Sequence, residues 1–140
     1  MSPRNTGRVV ACTPADGLAR LQVADSFLQV AELILEQPED DDLNLNMVAA
    51  ALSVLAGIAA SDAACCSQQG QQVRGQNHAL AVQLLKTVAP SGEQMAKDLS
   101  RLLDIKDAAH YGKLEMARDK AQSSVGWAKR MTQLARSLMS

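Results

Sequence analysis

Four side chains that carry charge or move protons lie within six consecutive residues of this sequence. They are Lys106, Asp107, His110 and Tyr111, which supply a cation, a carboxylate, an imidazole and a phenol. An imidazole suits proton transfer near neutral pH, and a lysine stabilises developing negative charge. Aromatic residues make up only 2% of the chain, which has two histidines in all. This short segment is therefore the first place to look for catalysis.

Helical periodicity places the segment on the fourth of the predicted helices. Ser91 followed by Gln94 is a capping-box pattern for the start of that helix. Lys106 occupies a position that the periodicity would fill with an apolar side chain, and His110 lies one turn beyond it on nearly the same face. Two titratable side chains thus lie at the edge of the apolar stripe that faces the core. The other members of this stripe are Met95, Leu99, Leu102 and Ala109.

The first two helices are predicted from apolar spacing and from their end signals. Pro14 opens helix 1, which ends near Pro38 because proline disfavours helix in the preceding residue. Asn46 is expected to cap helix 2, which is apolar nearly all round and is therefore read as a buried central helix rather than a membrane span. Gly70 is placed to end it as a C-cap.

Helix 3 has His78 in its first turn, where a packing or hydrogen-bonding role is the commoner one. The last helix is predicted from Lys113 to Met139, and Trp127 on it is interpreted as a core-edge or dimer anchor rather than a base-stacking platform. The alanine-rich composition favours closely packed helices. We expect an all-α, up-and-down bundle of four to five helices, with residues 15–140 as a single domain after a poorly ordered N-terminal lead-in, residues 1–14.

Asp62 is the one charged residue on the apolar second helix. A buried carboxylate must find a cation or hydrogen-bond donors, because an unpaired buried charge is very costly. A structural pair with Arg74, His78 or Lys106 is favoured over a catalytic role, although the two could coexist.

The charge is unevenly distributed along the chain. Residues 1–46 carry three basic and eight acidic residues, whereas residues 97–140 carry nine basic and five acidic ones. The basic part is interpreted as solvated helix faces, with a phosphate-facing surface as the alternative. Residues 39–42 form an acidic connector, which is interpreted as a solvated loop. Calcium binding is the less favoured alternative, because the flanking sequence lacks the ligand spacing of an EF-hand.

Three cysteines, Cys12, Cys65 and Cys66, leave no simple disulfide framework. Cys65 and Cys66 are interpreted as small buried apolar residues, and a reducing cytosol fits best. The sequence lacks both a convincing metal-ligand spacing and a signal-peptide apolar region near its start. We therefore expect a cytoplasmic protein with no metal, no cofactor and no membrane span.

The order of these helices, with the segments NHALAVQLL and LLDIKDAAHYG, resembles HEPN domains, the higher-eukaryote and prokaryote nucleotide-binding helical bundles. Many relatives read Arg-x-x-Ala-Asp-Tyr before the last helix, and Lys106, Ala109, His110 and Tyr111 occupy these places. The resemblance spans roughly residues 15 to 139. It implies a homodimer, RNA or a nucleotide as ligand, and, in ribonuclease members, cleavage without a metal.

The sequence also departs from the ribonuclease pattern. Only three residues separate Lys106 from His110, fewer than in those members, and lysine lacks the planar bidentate fork of arginine. Asp107 adds negative charge where a phosphate would enter. These departures favour a catalytically degenerate member.

Two main functions follow from the resemblance. The favoured one is a HEPN-like interaction module that acts with a partner, such as a nucleotidyltransferase-like protein, in a toxin–antitoxin or defence-type pair. The small-residue seams also fit a structural subunit of a larger assembly. The alternative is a metal-independent endoribonuclease that uses Lys106, His110 and Tyr111, with support from Asp62, Arg101 or Asp107.

Overall fold

The computed structural model describes residues 7–75, 77–111 and 115–140, and for residues 107–111 it describes the backbone alone. Within these ranges the chain is mostly helical, with five helices and one two-stranded ribbon, so the all-α class is confirmed. The elements in order are β1 (Arg8–Ala11), α1 (Pro14–Leu35), α2 (Leu45–Gln69), β2 (Gln71–Arg74), α3 (His78–Lys86), α4 (Gly92–Tyr111) and α5 (Arg118–Leu138).

The first helix, α1, begins at a capping box. Thr13 accepts a hydrogen bond from the backbone N–H of Asp16, and the Asp16 carboxylate accepts one from the backbone N–H of Thr13. These two bonds satisfy N–H groups that a helix start otherwise leaves unpaired. At the close approach of α1 to α2, a Cβ on Gly17 would lie only 3.1 Å from the Ala63 carbonyl oxygen. The small side chains of both helices thus let their backbones pack tightly.

The central element of the bundle is α2, which packs against α1, α4 and α5. It has the length and apolar character of a membrane span, but 67% of that stretch is buried within the bundle, as in the core helix of a helical protein. Gly70 ends it in the left-handed region at φ 66°, with its N–H donating to the Cys66 carbonyl. The predicted C-cap is confirmed, whereas the helix begins one residue before the predicted cap, Asn46.

A short ribbon lies across the end of the α1–α2 pair. Strands β1 and β2 pair antiparallel, with Arg8 opposite Arg74 and Ala11 opposite Gln71. The prediction of a poorly ordered lead-in over residues 1–14 is wrong for this stretch. Its residues 8–11 form a strand because Gly70 turns the chain back beside them and Cys12 donates its N–H to the Gly70 carbonyl.

A disulfide joins Cys12 to Cys66 and so fixes the ribbon to the C-terminal part of α2. The prediction of a buried, unbridged thiol is confirmed for Cys65 and is wrong for Cys66. The two bonded cysteines lie 54 residues apart, and only the return of the chain through the α1–α2 pair brings them together. Burial, with the nearby Asp62 carboxylate, raises the pKa of the Cys65 thiol to about 12.

The last helix, α5, closes the bundle by packing against α2, α4 and α1. Spacing by three and four residues predicts a small-residue seam on this helix, and Ala121, Ser124, Ala128, Met131 and Ala135 are buried as expected, whereas Ala117 is exposed. Ion pairs from Arg136 to Asp25 and from Lys129 to Glu32 hold it antiparallel to α1. In the described residues the helix begins at Arg118 rather than at Lys113, which lies outside them.

Candidate functional site

Lys106 meets a histidine on another helix. Its Nζ lies 3.2 Å from Nε2 of His78, the first residue of α3. The position of His78 is set by the start of α3, where the side-chain oxygen of Asn77 accepts a hydrogen bond from the N–H of Leu80. A neutral imidazole can accept a hydrogen bond from the lysine ammonium at Nε2. The contact with Lys106 agrees with the packing or hydrogen-bonding role predicted for His78.

Both side chains line a cavity of about 270 Å³ between α2, α4 and the segment from β2 to α3. The polar part of its wall also includes Ser61, Asp62 and Asn77. An ammonium, an imidazole and a carboxylate therefore line one cleft, and such a set can transfer protons or bind an anion.

Asp62 takes its ion-pair partner from α1. Its Oδ2 accepts a hydrogen bond from Nε of Arg20 at 3.1 Å, so the predicted pairing with Arg74, His78 or Lys106 is corrected to Arg20. The helical spacing of α1 did not reveal this pair, because it depends on how α1 and α2 are aligned. Burial raises the pKa of the Asp62 carboxyl to about 6, while the Arg20 and Arg74 cations act in the opposite direction.

A second cavity, of about 480 Å³, lies between the ribbon and α1 on the other side of Asp62. Its wall includes Asp16, Arg20, Asp62 and Arg74. The hydrogen bonds from Thr13, helped by the Arg74 cation, lower the pKa of the Asp16 carboxyl. We call Arg8, Arg20 and Arg74 the basic end, because the ribbon and α1 bring these three cations to one end of the α1–α2 pair.

Asp98 was missed by sequence reasoning and is fully buried between α4 and α5. It accepts two hydrogen bonds of 2.7 Å from Nε and Nη2 of Arg130, and a longer one of 3.4 Å from Arg101. These bonds to Asp98 also raise the pKa of Arg130. The sequence does carry a signal for a buried carboxylate at this position. Asp98 lies three residues after Met95, so helical spacing places it beside the apolar stripe.

Arg101 is not brought to the cavity of Lys106. It turns toward α5, where its guanidinium carbon lies 5.8 Å from the centre of the Trp127 ring. Trp127 is partly buried against the core, in line with its interpretation as a core-edge residue. The side chains of Asp107, His110 and Tyr111 lie outside the described residues. Within the described ranges, no group of three His, Cys, Asp or Glu residues could hold a metal ion.

An apolar strip runs along one side of the α1–α2 pair, and Leu55 at its edge also lines the cavity of Lys106 and His78 that α4 helps to form. The two helices run antiparallel, and Arg20 of α1 contacts Asp62 of α2. The residue seven positions after Arg20 therefore lies beside the residue seven positions before Asp62. Phe27 thus lies level with Leu55. We call this strip the open face; it comprises Phe27, Val30, Ile34, Val48, Leu52 and Leu55.

Three side chains of the open face are well exposed. Val30 is 47% exposed, Val48 45% and Leu55 44%, while Phe27 and Leu52 are partly buried. Single exposed apolar residues are common on soluble proteins, but a contiguous strip is typical of a binding surface.

No family model, curated protein or solved structure matches this chain. The resemblance to HEPN domains is therefore carried by the sequence segments quoted above. The geometry itself offers two features with functional meaning, the open face and the cavity shared by Asp62, His78 and Lys106.

Proposed function

We propose that this protein is a helical interaction module, HEPN-like and catalytically degenerate, that binds a second copy of itself through the open face. The observation that carries the proposal is the exposure of Val30, Val48 and Leu55 on one side of two adjacent helices. Burying a large aliphatic side chain contributes about 1.5–3 kcal/mol, so this strip can supply the apolar centre of an interface.

The sequence resemblance adds a second partner to the proposal. HEPN relatives often act in pairs with a nucleotidyltransferase-like protein, and we extend that role in a toxin–antitoxin or defence-type system to this chain. The cytoplasmic location expected from the cysteine content loses that support, because Cys12 and Cys66 form a disulfide.

The test of self-association is sedimentation velocity over a range of protein concentrations. Leu55→Lys and Val30→Lys place a charge in the open face and should shift the protein to the monomer. The matched control is Leu18→Lys, since Leu18 is 51% exposed on α1 but lies on the side away from the open face. A wild-type protein that stays monomeric at all concentrations would contradict the proposal.

The alternative function is a metal-independent endoribonuclease, favoured by the contact between Lys106 and His78 with Asp62 in the same cavity. Its test is cleavage of a mixed structured and single-stranded RNA pool in EDTA. Lys106→Ala, His110→Ala and His78→Ala are compared with Lys97→Ala, an exposed lysine on the same helix as Lys106. Cleavage that is lost in the first three variants and kept in the control would establish the enzyme and exclude the degenerate module.

A further inference from the structure

The two ends of the open face carry opposite charge. At one end lies the acidic connector, residues 39–42, in which every residue is exposed. At the other end lies the basic end, where Arg8 and Arg74 are cross-strand neighbours on the ribbon. Two like charges directly opposite each other destabilise a strand pair. An anionic group bound there would remove that repulsion.

The local charge balance leaves the basic end net positive. Asp62 is paired with Arg20, and Asp16 is engaged in the capping box of α1. The basic end therefore has three arginines but only two carboxylates. Both carboxylates already accept hydrogen bonds, Asp62 from Arg20 and Asp16 from Thr13. The surplus positive charge lies at the cavity of about 480 Å³ between the ribbon and α1, which Arg20 and Arg74 line.

The distances along the helices favour a two-fold arrangement. Val30 on α1 and Leu52 on α2 lie midway along the open face. Each is ten residues along its own helix, or roughly 15 Å, from the Arg20–Asp62 pair, and about ten residues along the chain from the acidic connector. A two-fold axis through that midpoint would place the acidic connector of one copy on the basic end of the other, and would do so twice. An isologous dimer needs such self-complementarity.

We propose that two copies pair antiparallel across the open face and that the acidic connector of each copy binds the basic end of the other. This inference rests on the proposed self-association and adds its orientation and its charged contacts. The apolar strip supplies the affinity, and the charged ends fix the direction of pairing, since electrostatic complementarity governs specificity more than affinity.

A charge swap tests the orientation. Arg74→Glu alone sets a carboxylate against the connector, and Asp41→Arg alone sets a cation against the basic end. Each variant should raise the dissociation constant of its own homodimer about tenfold. In an equimolar mixture the heterodimer pairs Asp41 with Arg74 at one end and the two substituted residues at the other. The mixture should therefore regain wild-type association.

The control is Lys97→Glu, which changes the net charge as Arg74→Glu does but lies on α4. It should leave the dissociation constant unchanged. If Leu55→Lys dissociates the dimer and the charge variants have no effect, the orientation is wrong and the open-face dimer stands. If the wild type never associates, the proposed function and this inference both fail. If the single variants weaken association and the mixture does not recover, the contact between the two ends is refuted.

Discussion

Arg130 of α5 donates two hydrogen bonds to Asp98 of α4, each with a nitrogen–oxygen distance of 2.7 Å. The carboxylate is fully buried, while the guanidinium is about half exposed. This geometry is the bidentate pairing that distinguishes arginine from lysine. It fixes the alignment of two antiparallel helices at a single point.

We expect Arg130→Ala to destabilise the protein by about 2–3 kcal/mol, because the buried carboxylate loses its two shortest hydrogen bonds while the half-exposed guanidinium limits the loss. Arg101→Ala removes a 3.4 Å contact with Asp98 and the approach of its guanidinium to the Trp127 ring, both from a half-exposed side chain, and should cost less, about 1 kcal/mol. Urea unfolding followed by circular dichroism measures both. Equal losses in the two variants would mean that the bidentate pair has no special role.

Asp62 should make stability fall as the pH rises. Its pKa is raised from 3.8 to about 6 in the folded protein, so the folded state binds more protons than the unfolded state between these values. The contribution of Asp62 is therefore fully present below about pH 4 and is lost as the pH rises through about 6. The span is on the order of 2–3 kcal/mol.

Comparing the free energy of unfolding of wild type and Asp62→Asn from pH 4 to pH 7 isolates this effect. The other groups facing Asp62, namely Arg20, Arg74, His78 and Lys106, are present in both proteins. The wild-type curve should decline relative to that of the variant. Parallel curves would show that Asp62 titrates at its ordinary pKa.

The disulfide should stabilise the fold by limiting the unfolded chain. For a separation of 54 residues, loop-closure entropy predicts about 4 kcal/mol. Cys12→Ser should lose that stability, and the amides of β1 should exchange with solvent faster than those of α2. Cys65→Ala is the control, since Cys65 is the free cysteine beside the bonded one. Equal stability of Cys12→Ser and wild type would contradict the entropic account.

Two helical glycines should respond oppositely to alanine. A Cβ on Gly57 would lie 2.5 Å from Leu102 Cδ1 and 3.3 Å from Met131 Sδ, so Gly57→Ala overpacks a buried helix crossing and should cost about 1–3 kcal/mol. A Cβ on Gly126 meets nothing within 4 Å, and Gly126→Ala should stabilise α5 by about 0.5–1 kcal/mol. Thermal unfolding of the two variants gives the comparison. A Gly57→Ala protein as stable as wild type would show that Leu102 repacks freely.

The parts of the fold that local chemistry determines were predictable. Pro14, Pro38 and Gly70 act through their own backbone, so the ends of α1 and the C-terminal end of α2 could be inferred from the residues themselves. The periodicity of α5 likewise predicted its buried seam, since every member lies on one helix.

The parts that depend on which elements meet were not predictable. The Arg20–Asp62 pair, the Cys12–Cys66 bond and the Lys106–His78 contact each join residues far apart in sequence. Asp98 carried a local signal, but its partner Arg130 lies 32 residues away on another helix. For the candidate site, the sequence identified Asp62 and Lys106 as unusual, and the structure supplied their neighbours.

The bond between Cys12 and Cys66 has a consequence for proteolysis. The connector between α1 and α2 is exposed and acidic, which makes it the natural place for a protease to cut. A cut there would leave two polypeptides that remain covalently joined, because the two bonded cysteines lie on either side of it. Nicked molecules would therefore migrate as one species until a reductant is added, and could keep both helices of the open face in place.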